Sequence, residues 1–468
     1  MTQTKIQQFI PQIFTVWSDE IIKNRIDAYF YQSQFKELYK VLRKGTFKIS
    51  RLSDLFDGEL IKGILPTHEE KKGDINVVQI SNISRDGTIN AIDCITAKHK
   101  IYTERHILEK NDILIVITGA TIGKIGFWQK EKSNYYLGGD IIKFHVKKGF
   151  NPVFVWAYLM SGFGQKQILR HITGATNKHL SPNDIANIQI PLLPINKQNR
   201  VSVIIQKAYR EKKQKEARAN ELLSSIDDYI LSKLGIKFPE IKKEMVFEVM
   251  SDKVKNNRVD ARYWQPFLEK VKHIINKGKY KTQKLENFIT KIHYGASTSN
   301  AYVDNGIPLL RILNLKSNYI DLLNVAHLPE NFRKELGNAF VKNGDLLISR
   351  SGTVGVVSVV PKEVDGFAFG SFMIKFCLND KINKEFVSIW LNNKLNKLLT
   401  EREKIGAIQG NITIGTIKDF DIPVPPLAIQ DKIVKKIKFY YSQAQKLKDE
   451  ASNGLQEARD KVEGIILG

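Results

Sequence analysis

The sequence predicts an α/β (α+β) architecture: two tandem mixed α/β domains separated by two long helices that form an antiparallel intramolecular coiled coil, with the halves related by a pseudo-twofold. Three observations predict it. The chain repeats itself at half its length. Each half opens with short β-rich runs bounded by turn residues, and each closes with a proline-containing exit followed by a long proline-free stretch of helical apolar spacing.

Laid over itself with a shift of 232 to 233 residues, the sequence matches in order along a whole half. Asn24-Arg25-Ile26-Asp27-Ala28 meets Asn257-Arg258-Val259-Asp260-Ala261, and Gln79-Ile80-Ser81-Asn82 meets Arg311-Ile312-Leu313-Asn314. Asn111-Asp112-Ile113-Leu114-Ile115 falls over Gly344-Asp345-Leu346-Leu347-Ile348, Thr121-Ile122-Gly123 over Thr353-Val354-Gly355, and Lys143-Phe144 over Lys375-Phe376. Ile190-Pro191-Leu192-Leu193-Pro194 meets Ile422-Pro423-Val424-Pro425-Pro426, with Gln198 over Gln430. Turn formers and core residues recur, whereas stretches such as 56–75 and 289–305 differ freely, so one scaffold carries two different surfaces.

Within a half, the runs Asn76 to Ile80, Asp112 to Ile117 and Ile141 to Val146 read as strands, and Pro152 to Gln167 reads as helix. Proline then stops a strand and extends the chain. The expected boundaries are a first globular unit with the N-terminal segment at 1–195, a central helix at 196–236, a second globular unit at 237–427 and a C-terminal helix at 428–468. In the last helix Ile433, Ile437, Tyr440, Ala444, Leu447 and Ala451, then Leu455, Ala458 and Val462, form a seam with a stutter beside Gly454. Val201, Ile205, Ala208, Leu223, Ile226 and Ile230 form its counterpart, interrupted by Lys212 and Lys215. Each stripe is too narrow to anchor its helix alone, so the two seams are expected to bury each other. Tyr29, Phe30, Tyr263 and Trp264, at equivalent places near the start of each half, read as core.

The chain has 468 residues, 72 Lys plus Arg against 49 Asp plus Glu, and a net charge of +23. A surface this positive nominates nucleic acid as the partner. The longest apolar runs fall far short of the roughly 20 residues that cross a bilayer. The first residues lack the pattern of an export signal, and Cys94 and Cys377 stand singly, so the expected home is the reducing cytoplasm.

An Asp before an apolar strand followed by a Gly-rich turn leaves backbone N–H groups at a strand end, where a phosphate or base edge can approach. In those turns Arg350 suits guanine or phosphate, and Lys124 suits phosphate. Asn177, His179, Gln409 and Asn411 precede the proline exits, where amide side chains suit adenine or cap a turn. Gln79 beside Asn82, and Arg311 beside Asn314, carry the same two readings. Gly119 to Lys124 is one residue too short for a phosphate-binding P-loop, and Ile125 stands where Ser or Thr is required. The only Pro-Pro, at 425–426, lacks the Asn or Asp that an adenine methyltransferase needs before it, and metal-ligand spacings such as HEXXH and CxxC are absent. The chain reads as one that chooses nucleic acid without changing it.

The doubled motifs at 111–124 (NDILIVITGATIGK), 344–355 (GDLLISRSGTVG) and 422–430 (IPVPPLAIQ) resemble the specificity subunit of type I restriction-modification systems. The resemblance covers nearly the whole chain. It implies two target recognition domains reading the halves of an asymmetric, bipartite double-stranded DNA site, and two spacer helices setting the gap. It also implies two modification (methyltransferase) subunits that use S-adenosylmethionine, and restriction subunits that use ATP and Mg, with no cofactor and no metal on this chain. Lys62, Thr118, Lys178, Tyr294, Lys316 and Ser351 join the residues above as DNA-contact candidates. Ile117 stands in the first half where Arg350 stands in the second. A methyltransferase or nuclease acting alone, or an RNA-binding adaptor built on the coiled coil, are the alternative readings.

Overall fold

The computed structural model describes residues 27–67, 71–131, 134–174, 178–250, 260–298, 301–405 and 410–468, with Val16 and Val254. It divides into two compact units, Met1–Glu216 with Lys448–Gly468, and Ala217–Leu447. Each long helix thus contributes one end to each unit, and the sequence boundaries at 195, 236 and 427 are chain landmarks rather than the edges of the packed bodies.

The first unit runs α1 (Ser33–Lys44), β1 (Ile49–Arg51), β2 (Phe56–Lys62), β3 (Lys71–Val78), β4 (Ile95–Ala97), β5 (Ile113–Val116), β6 (Ile125–Phe127), β7 (Tyr135–Leu137) and β8 (Ile141–Val146). Then follow α2 (Pro152–Met160), α3 (Gly162–His171), α4 (Pro182–Ala186), β9 (Gln189–Pro191) and the start of α5 (Ile195–Lys233). Its sheets have the orders β2-β8-β5-β6 and β4-β3-β7, with β1 paired to β9.

The second unit repeats this plan with α6 (Pro266–Asn276), β10 (Thr282–Lys284), β11 (Ile289–Tyr294), β12 (Ile307–Leu310), a hairpin β13 (Leu315–Lys316) and β14 (Tyr319–Ile320), β15 (Ala326–Leu328), α7 (Arg333–Leu336), β16 (Leu346–Ser349), β17 (Val357–Val359), β18 (Ala368–Phe369) and β19 (Met373–Leu378). After these come α8 (Lys384–Asn392), α9 (Lys394–Arg402), α10 (Ile414–Lys418), β20 (Asp421–Pro423) and α11 (Leu427–Leu467). Its sheets are β11-β19-β16-β17 and β15-β12-β18, with β10 paired to β20. Apart from the β13–β14 hairpin, which has no strand counterpart among the described residues of the first unit, the orders match strand for strand.

β5 is apolar at every position because both faces of its sheet are covered. Ile113 and Ile115 enter the core under α2, while Leu114 and Val116 enter a second core on the other face. That two-residue alternation is the pleat of a strand buried on both sides. The aspartate before this strand is structural. Asp112 Oδ2 lies 2.9 Å from Lys143 Nζ on β8, both buried, and accepts from Glu109 N at 2.8 Å. The second unit repeats the pair as Asp345 with Lys375, at 3.5 Å. Neither aspartate faces outward, so what the motif supplies at the surface is the turn beyond the strand.

Gln198 and Gln430 clamp the proline exits. Gln198 Oε1 accepts from Asn151 N at 2.8 Å and its Nε2 donates to Leu193 O at 2.7 Å. Gln430 makes the same pair of bonds, to Asn383 N and Pro425 O, each at 2.8 Å. The N-terminal aromatic landmarks are held by arginines the sequence reading did not single out. Arg170 of α3 stacks 3.9 Å from the Phe30 ring centroid, and Arg402 of α9 stacks 4.3 Å from that of Tyr263. Phe30 is buried as expected. Tyr29 is a correction: it is exposed, lying edge to face on the buried Phe35 at 5.4 Å and not within the core.

In the first unit Val201, Ile205 and Ala208 of α5 share one core with Leu455, Ala458 and Val462 of α11. In the second, Ile226 and Ile230 share one with Ile433 and Ile437, with Leu223 and Tyr440 packed at its margin. The N-terminal end of one helix therefore meets the C-terminal end of the other in both units, which is the antiparallel pairing the seams require. Tyr229 and Tyr440 meet edge to face at 5.8 Å. The seam residues also belong to the domain cores, so each stripe is wider in practice than its heptad suggests. Leu447 is half-buried, and α11 stays continuous through the stutter, with Ala451 and Leu455 both buried on either side of it. Lys215 pairs across the helices with Glu450 at 3.1 Å.

Candidate nucleic-acid interface

In each unit the ends of β2 and β8, or of β11 and β19, come together where two glycines cross. A Cβ on Gly63 would lie 1.9 Å from Gly138 O, and one on Gly295 would lie 2.2 Å from Gly370 O. No side chain fits there, so the backbones touch and neighbouring residues are brought to one strand-end cluster.

In the second unit four expected residues meet in this cluster. Arg350 N donates to Phe372 O at 2.9 Å, and its guanidinium lies 4.9 Å from the centroid of Tyr294 at the end of β11. Ser351 hydrogen-bonds Asn411 through its side chain, and the two residues bridge as paired strands. Tyr294 Oη accepts from Ile414 N at 3.4 Å and its ring is 43% exposed. Arg350 Nε has no hydrogen-bond partner among the described residues. The result is a guanidinium packed on an aromatic ring, with an amide and a hydroxyl beside it, a set able to bind a guanine edge or a phosphate.

The first unit builds the same backbone with other side chains. Ile117 N donates to Asp140 O at 3.0 Å, as Arg350 does to Phe372, and Thr118 bridges His179 as Ser351 bridges Asn411. Lys62 pairs with Ile142 in the register where Tyr294 pairs with Ile374, and it is exposed. Ile117 is only 1% exposed and packs in the core, so the residue at the Arg350 position adds no charged group to this cluster. Lys124 sits half-buried at the turn closing β5, and Lys178 is exposed beside His179. Asn177 and Gln409 lie outside the described residues.

Asn82 and Asn314 do not join this surface, which corrects their candidacy. Both are buried. Asn82 Oδ1 accepts from Gln79 N at 2.8 Å and its Nδ2 donates to Asn90 O and Asp93 O; Asn314 does the same with Arg311 N, Asp321 O and Leu323 O. Their amides are consumed in closing the loop. Lys316 is corrected too. It lies in the β13–β14 hairpin beside β17, at the opposite sheet edge from Tyr294, because the hairpin is drawn to the helix: Asn318 N donates to Val357 O and its Nδ2 to Tyr441 Oη, each at 2.9 Å. Gln79 remains half-buried. Arg311 donates to Asn324 O at 2.8 Å and lies 5.3 Å from the Tyr302 ring centroid, at the β12 end where Leu310 O accepts from Gly370 N.

That helix dock is a second repeated feature. In the first unit Tyr209 of α5 hydrogen-bonds Asp86 O, Arg459 donates to both, and Asp86 pairs with Lys212 at 2.9 Å. Lys212, which looked like an interruption of the seam, is the ionic half of a loop anchor. Tyr209 and Tyr441 stand 232 apart, as do Asp86 and Asn318, so the repeat itself held the signal. Burial alone would raise the Asp86 carboxyl, but bonds from Lys212 and Thr88 overcome it and hold it below its ordinary 3.8. A lowered acid contributes stability above that ordinary value and loses it as pH falls through the lowered one. Thermal melts of the wild type and Asp86→Asn are therefore expected to differ at neutral pH and converge in strong acid; a constant gap across pH 2 to 7 would contradict the anchor.

Among the described residues no group of His, Cys, Asp and Glu could hold a metal ion, and no helix is long and apolar enough to cross a membrane. A fold built twice, with one strand-end cluster per unit and two long helices that each contribute one end to each unit, defines a protein of two like modules that share a helix pair. The chain belongs to the type I restriction modification DNA specificity domain family, which matches residues 44–224 and 268–457. It is 23% identical over 458 residues to the type I restriction enzyme MjaVIII specificity subunit of Methanocaldococcus jannaschii, covering 94% of this chain and 97% of that one. It is 20% identical over 421 residues to the EcoKI specificity subunit of Escherichia coli K12, covering 87% and 85%. A chain from a structural study of complex assembly and conformational transition of the type I R-M system shares the fold at a TM-score of 0.50 and 16% identity, over 90% of this chain and 96% of that one. The resemblance read from the doubled motifs is borne out. The chain's role is DNA specificity, and it is not an enzyme in its own right.

Proposed function

We propose that the chain reads an asymmetric bipartite duplex DNA target, one half-site per unit, and directs two adenine-methyltransferase subunits and, with them, restriction subunits to it in the cytoplasm. One observation carries this: the same backbone cluster is built twice with unlike side chains, Lys62, Ile117 and Thr118 in one unit against Tyr294, Arg350 and Ser351 in the other. Two identical readers would select a palindrome; two unlike readers select unlike half-sites. Units 1–195 and 237–427 act as target recognition domains, and 196–236 with 428–468 as spacer. S-adenosylmethionine, ATP and Mg belong to the partners.

Selection of randomised duplexes by the full-length chain tests it. The wild type is expected to enrich a split, non-palindromic motif, and Arg350→Ala to lose discrimination at one position of one half-site by about 1–3 kcal/mol. Equal weakening of every sequence would reduce Arg350 to a phosphate contact, and enrichment of a palindrome would refute the asymmetric reading.

A further inference from the structure

Resting on that reading, one position in each cluster carries chemistry the other lacks. The residue before β8 is Asp140, and the residue before β19 is Phe372. Their carbonyls accept the same bond, from Ile117 N and Arg350 N, so the two occupy one backbone site. Phe372 is 48% exposed, beside Arg350 and the strand end that carries Tyr294. Asp140 is half-buried and has no hydrogen bond or ion pair from its side chain among the described residues. Its φ is 62°, which Asn or Gly would also accept, whereas Phe372 needs no positive φ. The turn explains a short polar residue there; it does not explain a negative charge on a chain of net charge +23, at a cluster that the proposed function sets against a polyanion.

A carboxylate near phosphates is unfavourable unless a base donates to it. In the major groove the exocyclic amino group of cytosine is the donor that a carboxylate takes, while a phenyl ring suits the methyl group of thymine. We propose that this position determines specificity in both half-sites: Asp140 selects a cytosine in the first, and Phe372 selects a thymine beside the base read by Arg350 in the second. Opposite chemistry at one backbone site makes the target asymmetric even where the scaffolds coincide.

The test is selection by the full-length chain from a randomised duplex library, with thermal melts to establish folding. Asp140→Asn keeps the left-handed turn and presents an amide, which pairs with adenine; it is expected to change one position of the first half-site from cytosine to adenine and leave the second half-site as in the wild type. Asp140→Gly, which suits the same φ, should lose roughly tenfold discrimination at that position. Phe372→Ala should relax one thymine of the second half-site alone. Unchanged motifs in all three folded variants, or changes in both half-sites at once, would overturn the assignment. A wild type that enriches no split motif would instead overturn the bipartite reading, and the assignment with it.

Discussion

Replacing Ile230 and Ile437 together with Ala is expected to unfold the second unit well below the melting temperature of the wild type. Both side chains are fully buried in the core that α5, α11 and the second domain share. Each truncation of this kind costs about 2–5 kcal/mol, and one to two such losses approach the roughly 5–15 kcal/mol that holds an ordinary domain together. Being in one cluster, the two should couple rather than add. A calorimetric trace with two transitions is expected to show the loss mainly in one of them. A double variant that melts within about 2 °C of the wild type would show that the seam is not packed as described.

The second large effect concerns the buried pair beneath the motif strands. Asp112→Ala leaves Lys143 uncompensated in the interior, and removing one partner of a buried pair costs about 3–5 kcal/mol. The lysine retains a bond to Ile107 O at 2.5 Å, which orients it without neutralising it. Asp345→Ala should cost less, since its pair is longer and its carboxylate is shared with Cys377, whereas that of Asp112 is shared with His145 Nδ1 at 3.3 Å. Replacing both Asp112 and Lys143 with Leu and Met is expected to recover most of the loss, because apolar side chains of similar volume suit a dry site. Denaturant midpoints for these variants decide it; a single variant as stable as the double one would mean that water reaches the lysine. Burial also pushes the Cys377 thiol, hydrogen-bonded to Asp345, up to about 11, so it stays a protonated donor at neutral pH.

Much of the fold was legible because a repeat constrains itself. Proline exits, the strand and turn alternation and the apolar seam each occurred twice at one offset, and local chemistry accounts for each: proline ends strands, glycine closes turns, and seven-residue apolar spacing needs a partner helix. The site was less legible. Arg350, Ser351, Asn411 and Tyr294 were named separately, but their meeting depends on a backbone crossing between Gly295 and Gly370, 75 positions apart in the chain. Asn82 and Asn314 looked available as polar residues at strand ends, and are not, because their loops fold back over them.

Composition and periodicity by themselves therefore determined that there are two copies of one scaffold, where strands and helices run, and that the long helices must bury each other's seams, since these follow from neighbours in sequence and from the spacing of apolar groups. Only the tertiary structure decided that Lys212 anchors a loop instead of breaking a seam, that the Asn82 and Asn314 amides are spent on closing their loops, and that Ile117 is buried in the core where Arg350 packs on Tyr294. Those outcomes depend on which distant side chains compete for the same buried volume and the same hydrogen bonds, and that competition is settled in space, between residues that no spacing along the chain relates.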